Sequence, residues 1–153
     1  MNGHLALWAV DRISFDLPRS PKKSVISALV DVATRGTQLT AAKRGRVLDL
    51  LLGREKNGST AAGGLAIPHV KSPDVKGPLA SLGVFPDGID FDAVDREKVH
   101  VVFLLLSPAA MAAEHVAVLR WIAGVARQPD FMPFVRRTRT PAEARALLEE
   151  MGA

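Results

Sequence analysis

Val99-His100-Val101-Val102-Phe103-Leu104-Leu105-Leu106 is the most apolar run in the chain. Its length suits a strand, and a strand apolar at successive positions has to be covered on both faces. That requirement calls for a sheet with helices above and below it. Working downstream, Ser107-Pro108 reads as a break, and residues 109–127 as a helix with Val116, Leu119, Ile122 and Ala123 on its buried side. Gln128-Pro129-Asp130 interrupts again, before a short segment from Phe131 to Arg137. Thr140-Pro141-Ala142-Glu143 then has the form of a capping box opening a last helix through Leu147, Leu148 and Met151.

Upstream, Leu79 to Phe85 is strand-like, Pro86-Asp87-Gly88 reads as a turn, and Ile89 and Phe91 alternate with Asp90 and Asp92. Ser72 to Pro78 is a turn-rich connection. Two helices precede it. One starts at Ser20 as cap with Pro21 in the first position, runs through Val25, Ile26, Leu29, Val30 and Ala33, and closes at Gly36. The other is capped by Thr40, carries Val47, Leu48, Leu51 and Leu52, and ends around Gly53 to Glu55. Ile13 to Leu17 alternates as a half-buried strand; Leu5, Leu7, Trp8 and Val10 cover the core, and Met1 to Gly3 are expected to fray. Strands alternating with helices, without repeats or an internal boundary, define an α/β protein with one domain over residues 1–153.

The bulk numbers exclude several classes. A chain of 153 residues, 48% hydrophobic and 24% charged, has the composition of a globular protein with a real core. No apolar run approaches the roughly 20 residues of a membrane span. Asp11, Arg12 and Asp16 come too early for a signal peptide, so a cytoplasmic location is expected. With Cys at 0 there is no thiolate chemistry. The net charge of +4 is scattered, Tyr is absent, and no aromatic–basic interleaving suggests stacked bases, so nucleic acid is not expected as a partner. An anionic ligand or an acidic protein suits the charge.

The chemistry concentrates in Arg54-Glu55-Lys56-Asn57-Gly58-Ser59-Thr60-Ala61-Ala62-Gly63-Gly64-Leu65-Ala66-Ile67-Pro68-His69. A helix-end cation is followed by a loop of small and hydroxyl residues, then by a histidine behind a proline that favours extended backbone. The order suggests a phosphate site. Gly53 to Thr60 nearly matches a P-loop, but Ser59 stands where the lysine belongs, and a helix precedes it, so nucleotide hydrolysis is excluded. His4 is expected in solvent and His100 as a hydrogen-bonded strand residue. His115 lies near a helix start with Leu119 and Ile122 at i+4 and i+7, and so points inward. No HExxH, third histidine ligand or G-x-S-x-G elbow occurs, so neither a metal nor a serine triad is expected. Asp90, Asp92 and Asp95 read as solvated.

Arg54-Glu55-Lys56, Gly58-Ser59-Thr60, Gly64 and Ala66-Ile67-Pro68-His69 together resemble the active-site signature of enzyme IIA components of the bacterial phosphoenolpyruvate-dependent phosphotransferase system. The likeness is to the fructose/mannitol (type 2) class that includes the nitrogen-regulatory IIA. It continues through Phe91-Asp92-Ala93, Asp95, Val99 to Leu106, Pro108 and His115, and reaches back to Ile13–Leu17 and Lys22–Val30. The resemblance implies a mixed sheet flanked by helices on both faces and no cofactor. It makes His69 the phosphoryl acceptor, supplied by HPr or its nitrogen-branch counterpart, with Arg54 and His115 as supporting residues. Ser59, Thr60, Gly63 and Gly64 would supply further donors to the phosphate. One departure is visible: the usual Thr-Gly-Ile-Gly-Asn-Gly loop is here Thr60-Ala61-Ala62-Gly63-Gly64, one residue shorter. Three uses are compatible with this sequence: relay of the group toward a IIB protein, a regulatory module switched by phosphorylation of His69, or a degenerate member without transfer. The lack of a fused permease or carrier domain leans toward regulation.

Overall fold

The computed structural model describes residues 3–152. Its strands are β1 (Ile13–Ser14), β2 (Leu65–Ala66), β3 (His69–Ser72), β4 (Leu79–Ile89) and β5 (Val99–Pro108). Its α-helices are α1 (Lys22–Thr34), α2 (Ala41–Lys56), α3 (Ala112–Ala126), α4 (Phe131–Val135) and α5 (Pro141–Gly152). The sheet order is β1-β4-β5, with β2 and β3 following one another along the far edge of β5. β4 and β5 are antiparallel, whereas β1 runs parallel to β4, and β2 and β3 parallel to β5. The sheet is mixed, with helices on both faces.

Period-two alternation on β5 separates two cores. Val102, Leu104 and Leu106 pack with Val25, Ile26 and Leu29 of α1 and with Val47 and Leu51 of α2. Val101, Phe103 and Leu105 pack with Val118 and Ile122 of α3, Phe131 of α4, and Leu147 and Leu148 of α5. Trp8 completes this second face edge-on to Phe103, with ring centroids 5.1 Å apart. Arg145 of α5 donates to the carbonyls of Leu5 and Trp8, the latter at 2.9 Å, so the last helix holds the 3₁₀ turn Gly3–Trp8.

Both threonine caps form: Thr40 accepts from the Lys43 amide at 3.2 Å, and Thr140 and Glu143 make the reciprocal capping box. Several boundaries differ from the sequence reading. β1 stops at Ser14, whose hydroxyl takes the Asp16 amide away from the ladder. Pro21 occupies the cap position of α1 and accepts from Ser24 and Val25 through its carbonyl, while the Ser20 hydroxyl caps nothing. Pro86-Asp87-Gly88 is not a turn between elements, because β4 continues through it with a register shift between Val84 and Ile89. Such an irregularity accommodates the proline and the positive φ of Gly88 (81°). β5 extends through Ser107 to Pro108, and α3 starts only at Ala112; Val116 is exposed, and His115, Val118, Ile122 and Val125 form the buried stripe. Gly3 opens a 3₁₀ helix, Gly3–Trp8, while Met1 and Asn2 lie outside the described residues. His4 sits near the Trp121 ring, 6.3 Å between centroids, and is half-buried. Among the described residues no helix is long and apolar enough to cross a membrane.

Leu104 is fully buried between the sheet and the first helical layer. Leu104→Ala is expected to cost about 2–5 kcal/mol of folding stability, through lost transfer energy plus the cavity left behind. Urea unfolding followed by circular dichroism measures it, and a change below about 1 kcal/mol would contradict this packing.

Candidate functional site

The alternation that divides the cores also aims the site. Leu105 and Ser107 share the α3 side of β5, and the parallel register pairs His69 with Leu105 and Lys71 with Ser107. Paired residues of neighbouring strands project to the same face. His69 and Lys71 therefore look toward α3, where His115 lies one turn inside the helix, its amide bonded to the Met111 carbonyl at 3.0 Å. The two imidazole rings stand 5.4 Å apart between centroids, tilted by 45°.

Their hydrogen bonds define their chemistry. Nδ1 of His69 lies 2.6 Å from the carbonyl oxygen of Ile67. A carbonyl only accepts, so Nδ1 carries a hydrogen, and in the neutral ring it is Nε2 that keeps the lone pair. Pro68 fixes this corner, its own carbonyl accepting from the Leu105 amide at 3.0 Å. Nδ1 of His115 lies 2.7 Å from the Ser107 hydroxyl, in a setting where His115 is 5% and Ser107 2% exposed. Burial pushes the His115 imidazole below its ordinary pKa, and the charges of His69 and Lys71 push it further the same way.

The residues suggested as a phosphate cradle are engaged elsewhere. Arg54, in the last turn of α2, donates to the Gly58 carbonyl at 3.2 Å. The Ser59 hydroxyl accepts from the Ala61 amide, and Thr60 donates to Glu55, which meets Lys22 at 2.8 Å. Lys22 in turn lies over the Phe91 ring. Gly63 and Gly64 have φ of 64° and 82° and form a tight turn in which Ala62 and Leu65 exchange backbone hydrogen bonds. Two successive positive φ values are what such a turn demands of its central residues. The Gly63 amide is taken by Asp95 at 2.8 Å, so Asp95 anchors the loop and is not merely solvated; this bond is the main reason its carboxyl sits below its usual pKa.

The Gly64 carbonyl accepts from His100 and Val101, four to five residues before Leu105 on β5. At about 3.3 Å per residue that is roughly 13–17 Å along the strand from the level of His69. Thus the structure brings His69 and His115 together and leaves Gly63 and Gly64 toward the other end of β5. His100 bonds the Phe85 carbonyl at 3.2 Å. Ser107, read in the sequence only as part of a strand break, and Lys71, which sequence reasoning passed over, both join the site. Two-residue spacing from His69 was the signal for Lys71. Among the described residues no group of three His, Cys, Asp or Glu side chains is placed to hold a metal.

Fold and site define a class: an α/β protein that presents two facing histidines beside the C-terminal end of its central strand. Residues 7–151 match the family described as Phosphoenolpyruvate-dependent sugar phosphotransferase system, EIIA 2, and the chain belongs to that family. It is 36% identical over 124 residues to the nitrogen regulatory protein of Bradyrhizobium diazoefficiens, covering 80% of this chain and 81% of that one. The crystal structure of nitrogen regulatory protein IIA-Ntr from Neisseria meningitidis superposes with a TM-score of 0.83 at 28% identity, over 94% of this chain and 97% of the other. The mannitol IIA of Escherichia coli, solved in complex with its phosphorylated IIB, shares the fold (TM-score 0.74, 18% identity, 93% of this chain and 96% of that one).

The lowered pKa of His115 has a signed consequence. Between its folded value and the usual 6.5 the unfolded state binds more protons, so stability is lost as pH falls below about 6.5 and is unaffected above. Proton NMR titration should show His115 neutral at a pH where a solvated histidine is half charged, and Lys71→Met should raise its pKa. A His115 titration at or above that of a free imidazole would contradict this electrostatic picture.

Proposed function

We propose that His69 accepts a phosphoryl group on Nε2 from the phosphohistidine of an HPr-type carrier, or its nitrogen-branch counterpart, in the cytoplasm. The observation that carries this reading is the His69 Nδ1 bond to Ile67, because it leaves Nε2 as the nitrogen able to act as nucleophile, on a ring whose centroid is 5.4 Å from that of the buried His115. The lone pair of Nε2 attacks phosphorus in line as the donor's P–N bond breaks, and that electron pair returns to the donor imidazole. Nδ1–H stays on its carbonyl and stabilises the positive ring that forms. His115 donates a hydrogen bond to an equatorial oxygen, and positioning with charge stabilisation supplies most of the catalysis. No metal or cofactor is called for. Lys71 adds positive charge on the same face.

Arg54 is held by one exposed hydrogen bond at 3.2 Å. Releasing such a bond costs about 1 kcal/mol, so its planar fork can swing onto the phosphoryl oxygens. Ser59, Thr60, Gly63 and Gly64 shape the loop that follows Arg54 and contribute no direct phosphate contact in this reading. We take residues 1–153 as one functional unit that hands the group to a IIB protein or displays it to regulatory targets. The nitrogen-regulatory relatives favour display, since a phosphoryl group adds about −1.5 to −2 charges at an exposed edge.

Radiolabelled phospho-HPr is expected to label the wild-type protein, and His69→Ala to abolish labelling. His115→Ala should slow transfer about tenfold or more, the worth of a hydrogen bond to a charged group. Undiminished labelling of the His69→Ala protein would sink the proposal. Pull-downs with wild type and His69→Asp separate the two outlets: capture of a IIB protein alone would speak against display.

A further inference from the structure

Ser107 lies at the level of Lys71 on β5, and its hydroxyl reaches the Nδ1 of His115 at 2.7 Å. Among the described residues that ring is the hydroxyl's one hydrogen-bond partner. Two arrangements of the protons are conceivable. If His115 donated from Nδ1, the serine hydrogen would point at nothing inside a buried pocket, and the free ring nitrogen would present a lone pair. If Ser107 donates to Nδ1, both buried groups are satisfied with one bond and the proton of His115 resides on Nε2. The second arrangement strands no donor.

We propose that Ser107 is a positioning residue that holds neutral His115 as the Nε2–H tautomer, keeping its hydrogen-bond donor available to the phosphoryl group on His69. The role rests on the reading of His69 as acceptor. The tautomer decides the sign of the interaction: an Nε2–H meets a phosphoryl oxygen attractively, whereas an Nε2 lone pair repels it. Burial of His115 keeps the ring from meeting the demand by simply taking up a second proton, so one neutral tautomer has to be selected. A serine hydroxyl does this without the permanent charge that a carboxylate in its place would bring beside the phosphate. Ser107 also pins the ring orientation, because β5 and the start of α3 then hold the imidazole from two sides.

Long-range ¹H–¹⁵N correlation spectra of the wild-type protein, with His115 assigned by comparison with His115→Ala, read the tautomer directly. The expected result is a pyrrole-like Nε2 and a pyridine-like Nδ1. Transfer from phospho-HPr should slow about three- to tenfold in Ser107→Ala, the worth of one buried hydrogen bond, with the ring ¹⁵N shifts moving toward a tautomer average. Ser107→Thr, which keeps the hydroxyl, should restore both. An Nδ1–H His115 in wild type, or a Ser107→Ala protein transferring at the wild-type rate, overturns the role of Ser107 while leaving His69 as acceptor. A wild-type protein that takes no label overturns the His69 reading and this role with it.

Discussion

Burial of one strand on both faces is the constraint on which this molecule depends. β5 offers its neighbours two parities of apolar side chain and leaves neither for water, so each parity needs its own helical layer. The order of elements follows from that need: α1 and α2 cover one face, and α3, α4, α5 and the turn at Trp8 cover the other. Both cores are made of ordinary aliphatic and aromatic contacts. Their separation by a single strand makes a change at one residue of β5 local to one face.

The same alternation that separates the cores sets out the chemistry. Once β3 runs parallel to β5 with His69 opposite Leu105, the face on which His69 projects is no longer adjustable. A slip of one residue would turn it toward α1 and α2, away from His115. Pro68 and the Ile67 carbonyl then place the hydrogen on Nδ1, so strand pairing, backbone conformation and the orientation of the imidazole are consecutive links of one chain of causes. His115 arrives from a different element, and the Ser107 bond ties that element back to the strand. The facing pair is the point at which an edge strand of the sheet and its covering helix meet.

Much of this was legible in the sequence where a local rule acts alone. The apolar run of β5, the caps at Thr40 and Thr140 and the inward turn of His115 all follow from spacing or from one side chain reaching one amide. The errors arose where a local signal had two structural solutions. Pro86-Asp87-Gly88 makes a turn or an irregular strand, and pairing with β5 chose the strand. Glycines with free amides would cradle an anion, but Gly63 and Gly64 serve a reversal whose outward amide is claimed by Asp95, 32 residues away. The sequence also could not say which end of β5 the loop would occupy, because that is a matter of register. Ser107 was overlooked because a hydroxyl beside a proline reads as punctuation until the tertiary fold puts an imidazole against it.

The hold of Arg145 on Leu5 and Trp8 carries a meaning for how the fold is completed. It joins positions 137 residues apart, and the indole it secures lies against Phe103 on the central strand. Closing so long a loop is entropically dear compared with pairing β4 and β5, which are near neighbours in sequence. The clasp is thus the contact of long sequence separation in this layer, and it closes the helical face from which His115 projects. The histidine pair and the Arg145 clasp lie in the same helical layer, so the two ends of the chain and the candidate site are held by one side of the sheet.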